Sequence, residues 1–280
     1  MTREMIIKEL QNRGYNAKLQ NSIKNGVELE GICILTNTNI APVIYTEAII
    51  ENAERENISL DEVVSAIVDI YENHKTLNFD INMLRNKDSV LNSIYIGLQK
   101  TSNEIIEKRE CDLEGIESYI YIRIEADTNE DEFHTVKISK EFLDNLNISV
   151  SEAWERAEAN TNEETTLETM AEVMANLLGL LGYDYNEEMD EDEETPVFVL
   201  SNKCKNKGAS AILNKRVLKE FGKKYHTERI IMLPSSIHET LLIPYTGQDI
   251  ETFSEMVCET NNMAVDPIER LTDRAYIITI

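Results

Sequence analysis

The segment MLPSSIHETLLIP, residues 232–244, places side chains with the chemistry of a hydrolase close together. Ser235 or Ser236 could act as a nucleophile, His238 as a general base, and Glu239 as the acid that orients it. A serine nucleophile needs its base within about 3 Å, together with an orienting acid and oxyanion donors. Residues two apart on a strand project to the same side but splay, so Ser236 and His238 do not converge there.

The residues on either side of this segment favour a turn. RIIML and ETLLIPY are apolar runs typical of paired strands, and Pro-Ser-Ser between them has the composition of a turn. We therefore expect the polar side chains to hold the bend together. The enzymatic alternative uses His238 as a general base with Glu239 or Ser235.

Other motifs that carry chemistry are absent from the sequence. It contains no GxSxG elbow, P-loop, GxGxxG or HExxH pattern. Its four cysteines lack the spacing of zinc ligands and are expected to be reduced thiols. The acidic run at residues 187–194 lacks the alternating ligands and central glycine of an EF-hand loop. We expect neither a metal nor a cofactor.

The charge is large and unevenly spread. The net charge is −25, and residues 151–195 carry one basic against 15 acidic side chains. A polyanionic surface repels nucleic acid and anionic membranes, so direct binding to either is disfavoured. Residues 202–229 form a basic run that could contact an anion or a partner, or could face the chain's own acids. The candidate contacts in this run are Lys203, Lys205, Lys207, Lys215 and Arg216.

The sequence predicts an α+β fold built from antiparallel hairpin–helix units. APVIYTEAIIENA (41–53), HTVKISKEFLDNL (134–146) and ASAILNKRVLKEF (209–221) each read as a short strand, a capping residue and an apolar helical stripe. The caps are Thr46, Ser139 and Asn214. Each stretch follows another strand-like run, so the unit is a hairpin and then a helix. An internal duplication would explain the repetition, although such units also occur without one.

Short-range signals set further boundaries. Thr2 caps a first amphipathic helix, and Asn25-Gly26 predicts a two-residue type I′ turn. Thr36–Asn39 predicts a second turn, and Pro42 the start of a third strand. The capping-box pattern predicts the start of two more helices, one at Ser59 with Glu62 and one at Ser149 with Glu152. Residues 77–110 are mostly helical by composition, although SIYIGL within them could form a strand.

A Met/Leu-rich helix is predicted over residues 166–181. Its apolar stripe is typical of core packing, and a groove for a partner is the alternative. The acidic run that follows predicts a solvated linker at 186–195. The linker would separate an N-terminal α+β domain, 1–185, from a C-terminal α+β domain, 196–280.

Several segments resemble an uncharacterised bacterial family, domain-of-unknown-function family 5688. ETPVFVLSNK, GASAILN, LKEF and IMLPSSIHETLLIP are similar to its C-terminal half, and NGVELEGICIL, NIAPVIYTEAI and VSEAWERAEANT to its N-terminal half. The resemblance spans nearly the whole chain and implies a bacterial cytoplasmic setting, but it supplies no catalytic residue. Relatives commonly have Trp-Gly before Val-Ser, where this chain has Asn147-Ile148-Ser149.

Three functions are compatible with these features. The first is a non-enzymatic binding or adaptor protein in the cytoplasm, which presents sheet edges and the 197–245 surface to another protein. The second is an acidic inhibitor from a mobile element that mimics nucleic acid and occupies the basic cleft of a nuclease. The third is a hydrolase-like enzyme that uses Ser235 or Ser236 with His238. Mimicry requires ordered acids and a partner that dissociates steeply with salt.

Overall fold

The computed structural model describes residues 1–35, 43–74, 81–125, 133–180 and 196–280. These residues form a mixed α+β fold with three antiparallel sheets, which confirms the predicted fold class. The chain divides into two compact units, Met1–Leu84 with Glu125–His134 and Arg85–Ile124 with Thr135–Ile280.

The first unit packs helices on a three-stranded sheet in the order β1-β2-β3. Its elements are α1 (Arg3–Asn12), β1 (Ala17–Lys24), β2 (Val27–Ile34), β3 (Val43–Tyr45), α2 (Glu47–Glu56) and α3 (Leu60–His74). Thr2 caps α1, because its hydroxyl accepts a hydrogen bond from the Met5 amide. Asn25 and Gly26 both have positive φ, 49° and 76°, so the predicted type I′ turn between β1 and β2 is confirmed. The predicted turn at 36–39 and the strand start at Pro42 lie outside the described residues.

A second sheet has the order β4-β6-β5, and β7 also pairs with β6. Its strands are β4 (Ile94–Lys100), β5 (Lys108–Glu110), β6 (Ile116–Glu125) and β7 (Phe133–Lys137). SIYIGL therefore contributes to a strand. The helices next to these strands in the chain are α4 (Lys87–Asn92), α5 (Lys140–Asn145) and α6 (Val150–Glu164), with a 3-10 turn at Ile81–Arg85 before them.

The third sheet is five-stranded and antiparallel, in the order β12-β10-β11-β9-β8. Its strands are β8 (Thr165–Thr169), β9 (Phe198–Asn202), β10 (Arg229–Pro234), β11 (Thr240–Pro244) and β12 (Tyr276–Thr279). The remaining helices are α7 (Met170–Leu180), a 3-10 helix (Gly208–Leu213), α8 (Lys215–Tyr225) and α9 (Ile250–Ala264). Side chains alternate along β10, so Met232 joins the core with Leu218 and Phe221 of α8, whereas Ile231 joins Val257 of α9. The sheet is thus buried on both faces.

Most of the predicted caps are confirmed. Ser139 caps α5 by accepting from the Phe142 amide, and Asn214 caps α8 by accepting from the Val217 amide. The box at the start of α3 is complete, because the amides of Ser59 and Glu62 each donate to the other residue's side chain. Ser149 caps α6, and the Glu152 carboxylate pairs with Lys87; the hydrogen bond from Lys87, together with one from the Ser149 backbone, lowers the pKa of Glu152.

Two of the local predictions are wrong. Thr46 precedes α2 but makes no capping bond, because its ψ is −2° and its hydroxyl accepts from Arg3 Nε instead. Residues 208–213 form a buried 3-10 helix where a strand was predicted. A Cβ at Gly208 would lie 2.3 Å from Ser201 Oγ and 2.7 Å from His238 O, so the chain is pressed against β9 and cannot run as a separate hairpin strand.

The helix predicted over 166–181 is also corrected, because its first residues form β8 and only 170–180 form α7. β8 pairs with β9 from Thr165↔Asn202 to Thr169↔Phe198. The predicted linker, 186–195, lies between these strands in the chain and outside the described residues. β8 comes from the predicted domain 1–185 and β9 from the predicted domain 196–280, so both contribute strands to one sheet, and the division into these two domains stays a prediction.

Candidate functional site

Residues 234–239 connect β10 to β11 as a turn between paired strands. The Ser236 amide donates to the Glu239 carbonyl at 3.2 Å, and the His238 amide donates to Ser236 Oγ at 3.0 Å. Ser235 Oγ donates to the Glu239 carboxylate at 3.3 Å. Both serine hydroxyls and the Glu239 side chain therefore make hydrogen bonds within the turn. The predicted turn between two paired strands is confirmed.

The His238 imidazole joins this turn to two other segments. Its Nδ1 accepts from the Lys207 amide at 3.2 Å, and its Nε2 lies 3.3 Å from Glu269 Oε1. Within the described residues, no hydrogen bond joins the imidazole to Ser235 or Ser236. The ring is thus positioned as a connector, and the arrangement lacks the contact between base and nucleophile that acyl transfer requires.

The basic candidates occupy different surroundings. Lys205 pairs with Glu168 of β8, whereas Lys215 and Arg216 are exposed in the first turn of α8. Lys203 is exposed, and its amide donates to the carbonyl of Glu164. These four side chains therefore give no sign of forming one anion-binding site.

Lys207 differs from the other basic candidates because it is largely enclosed. Its Nζ donates to the Tyr119 hydroxyl at 3.2 Å, and no carboxylate among the described residues lies within ion-pair distance. Burial lowers the pKa of this amine, although the charges of Glu104 and Glu269 partly oppose the shift. Tyr119 is also buried, which raises the pKa of its phenol to about 12.

The face of the second sheet under Lys207 carries a tyrosine row that the sequence analysis missed. Tyr95 on β4 lies opposite Tyr121 on β6, with ring centroids 6.0 Å apart, and Tyr119 follows at 6.1 Å. Arg123 lies 4.2 Å from the Tyr95 ring and binds both oxygens of Glu164 at 2.7 and 2.5 Å. The alternation of Tyr119, Tyr121 and Arg123 was the available signal, because residues two apart share a face.

The opposite end of this face holds a second ionic group. Glu117 is only 4 % exposed and accepts from Gln99, Ser102 and Lys108. Burial alone would raise the pKa of Glu117, but these hydrogen bonds outweigh burial and lower it. Lys137 binds Gln99 and Glu104 in the same group. These charged side chains pair with one another, so no bound ligand is required to balance their charges.

A different kind of surface lies at α7. Thr169 and Glu172 form a capping box that starts this helix. The Thr169 amide donates to the Glu172 carboxylate at 2.7 Å, and the Glu172 amide donates to the Thr169 hydroxyl at 3.1 Å. These bonds from Thr169 lower the pKa of Glu172.

No α7 residue is buried, and Met174, Leu177 and Leu180 are 42, 50 and 87 % exposed. The expectation that this stripe packs in the core is therefore wrong for Met174 and Leu177, whereas its first residue, Leu167, packs against the core from β8.

A groove with a volume of about 370 Å³ begins where α7 begins. We call it the α7–α8 groove; it is lined by Leu167, Thr169, Glu172, Phe198, Val217, Glu220, Phe221, Lys224 and Tyr225. The rings of Phe198, Phe221 and Tyr225 pack together with centroids 4.7–5.0 Å apart. An aromatic floor with a charged rim can hold an apolar side chain from another molecule.

Some functions require features that the described residues do not show. No cluster of three or more His, Cys, Asp or Glu side chains in the described ranges could hold a metal ion. All four cysteines are free thiols. None of the described helices has the length and apolar character needed to cross a membrane.

Together these features define an acidic, mixed α+β protein with an internally paired polar network and an exposed apolar helix. The chain belongs to the family of unknown function DUF5688, whose model matches residues 2–278. This match confirms the resemblance found in the sequence. No curated protein and no solved structure matches the chain.

Proposed function

We propose that this chain is a non-enzymatic binding or adaptor protein that acts through protein–protein contacts. The observation that carries the proposal is the exposed apolar face of α7. Met174, Leu177 and Leu180 recur every three residues, so they share one side of the helix. Single exposed apolar residues are common, but a row of them on a helix with no buried residue is typical of an interaction surface.

The charge of the surroundings indicates the chemistry of the partner. The charged residues that line the α7–α8 groove are Glu172 and Glu220 against Lys224, an excess of one acid. An apolar face in such surroundings complements a partner whose apolar anchor is bordered by Lys or Arg. The α7–α8 groove, with its aromatic floor, would receive that anchor.

The turn at 234–239 supports a binding function over a hydrolase. Its serine hydroxyls bind within the turn, at 3.3 Å for Ser235 and 3.0 Å for Ser236, and its imidazole accepts from the Lys207 amide at 3.2 Å. A catalytic serine must keep its hydroxyl free for a base and a substrate. These contacts support a structural use of the two serines and the histidine.

The experiment compares variants of α7 in a native-host co-purification. Met174→Glu with Leu177→Glu should abolish recovery of the partner, whereas Met256→Glu on α9, also an exposed methionine, should not. The partner is then purified and titrated by calorimetry against all three proteins. We expect the α7 variant to bind at least about tenfold more weakly, because buried apolar anchors at an interface typically contribute more than 1 kcal/mol each.

Two results would contradict this proposal. The first is a purified partner that binds the α7 variant and the wild type equally well. The second is a partner that is a nuclease, dissociates steeply with salt and ignores the α7 substitutions, which would favour nucleic-acid mimicry.

A further inference from the structure

We infer that a second groove, between β12 and α8, binds the carboxyl-terminal segment of an extended peptide. The peptide would add to the third sheet as a strand next to β12 and place its last side chain in an apolar cavity. This inference rests on the proposed binding function and assigns a separate surface to it. The surface shares no lining residue with the α7–α8 groove.

The first argument is the free edge of β12. This strand is the terminal strand of its sheet and pairs with β10 alone among the described residues, from Tyr276↔Met232 to Thr279↔Arg229. In an antiparallel edge strand, every second residue directs its amide and carbonyl away from the sheet. Such an edge is a template on which an extended peptide can form main-chain hydrogen bonds.

The second argument is a cavity of about 380 Å³ beside that edge. Residues 276–280 all line it, so the cavity borders the edge of the strand as well as one face. Its opposite wall comes from Leu113, Ile212 and Leu218, which are each less than 8 % exposed. These walls belong to the hydrophobic core, so the cavity is held open by packed side chains.

The third argument is the charge at the cavity. Lys215 and Lys219 line it, are one helical turn apart on α8, and make no hydrogen bond or ion pair with any described residue. Asp112 is the acidic side chain among the lining residues, so the lining side chains together carry an excess of one positive charge. No acid occupies the first turn of α8, so the helix dipole adds to the attraction for an anion. The positive charge at this cavity contrasts with the net charge of −25 of the whole chain.

The three features select one kind of ligand. The terminal residue of a peptide carries an apolar side chain and a carboxylate on the same carbon atom, and the residues before it supply amides for the strand edge. A medium-chain fatty carboxylate would satisfy the cavity and the lysines, but it has no amides for β12. The free strand edge therefore favours the peptide.

The experiment uses the full chain and an array of random octapeptides attached through their amino termini. We expect peptides with an apolar last residue to be selected, and the same peptides with amidated carboxyl termini to lose at least about tenfold in affinity. The variant with Lys215→Glu and Lys219→Glu should lose a similar factor. The matched control, Arg216→Glu with Lys223→Glu, changes the charge of α8 equally but lies outside the cavity lining and should stay within about twofold.

Strand addition has its own measurement. A selected peptide should slow hydrogen exchange at β12, and N-methylation at alternate peptide amides should weaken its binding. Selection of no peptide, equal binding by amidated peptides, or no effect of N-methylation would overturn the inference. Binding of decanoate without any peptide would overturn it in favour of a fatty ligand.

The same assays separate this inference from the proposed function of α7. The Met174→Glu, Leu177→Glu protein should bind the selected peptide normally. If that protein loses its partner but keeps the peptide, both proposals hold. If the partner ignores the α7 substitutions while the peptide still binds, only the proposal for α7 fails.

Discussion

Replacement of Glu164 by Gln tests the ionic network on the second sheet. The Glu164 carboxylate accepts two bonds from Arg123, at 2.7 and 2.5 Å, and a third from the Tyr95 hydroxyl at 3.1 Å. The two charged side chains are only 16 and 18 % exposed. Glutamine keeps the shape of the side chain, but it removes the negative charge and turns one acceptor into a donor that faces the guanidinium.

The cost follows from the burial of the pair. Removal of one partner from a fully buried ion pair costs about 3–5 kcal/mol, because the other charge stays buried without compensation. The remaining exposure of Arg123 and Glu164 lets water reduce this cost, and we expect a loss of about 2 kcal/mol in the free energy of unfolding. For a chain of 280 residues, this corresponds to a fall in Tm of about 4 °C.

The effect should depend on pH in a defined direction. Burial alone would raise the pKa of Glu164, but the hydrogen bond and charge of Arg123 outweigh burial and lower it. A carboxyl whose pKa is lowered by folding stabilises the protein fully above its unfolded pKa, about 4.3 for glutamate, and loses this contribution as the pH falls through the folded value. The gap in Tm between wild type and Glu164→Gln should therefore be constant near pH 7 and narrow below about pH 4.

Thermal unfolding followed by circular dichroism measures both effects. Asp144→Asn is the control, because its ion pair with Lys140 is exposed and should contribute nothing measurable. A Glu164→Gln protein that melts with the wild type at pH 7, or a gap in Tm that stays the same at pH 3, would refute the argument.

Three further substitutions test local parts of the structure. Thr169→Ala removes the cap of α7 and should cost about 1 kcal/mol, seen as faster hydrogen exchange in that helix only. Gly208→Ala places a methyl group 2.3 Å from Ser201 Oγ and should lower the free energy of unfolding by about 3 kcal/mol in chemical denaturation. His238→Ala should lower Tm by a few degrees, while a fluorophosphonate probe should label Ser236 in neither protein; labelling that depends on His238 would support a hydrolase.

The elements that short-range chemistry specifies were predicted from the sequence. Asn25-Gly26 could be recognised because a type I′ turn depends on two residues, and Ser139 because a cap depends on the first helical turn. Thr46 shows the limit of this reasoning. Its hydroxyl is bound by Arg3, which is 43 residues away in the chain, and its backbone is not extended as a cap requires.

The helix predicted over 166–181 failed for a related reason. Leu167 and Met170 fit the helical period, but strand pairing with Leu200 places Leu167 in a sheet. A capping box of Thr169 and Glu172 was present as a signal for the later start. The residues before this capping box did not settle whether the segment is helix or strand, because the threonines at 165, 166 and 169 suit both a helix cap and an edge strand.

The polar network was hidden from sequence reasoning because its partners come from distant segments. Tyr95, Arg123 and Glu164 are up to 69 residues apart in the chain, and their charges balance only once α6 lies beside β4. The same dependence on tertiary contacts explains the exposure of α7. An apolar stripe predicts burial against something, but it does not specify whether the covering surface belongs to the same chain.

Helix α8 separates the two proposed partner surfaces. Successive residues of a helix are about 100° apart, which puts Lys215 with Lys219 on one flank and Glu220 with Lys224 on another, about 140° away. Leu218 and Phe221 hold the helix to the core between these flanks. Because the helix is anchored, a ligand in one groove need not move the other, and the two binding free energies should add. A saturating peptide should therefore change the affinity for the α7 partner by less than about twofold, and competition between them would mean that the grooves act as one surface.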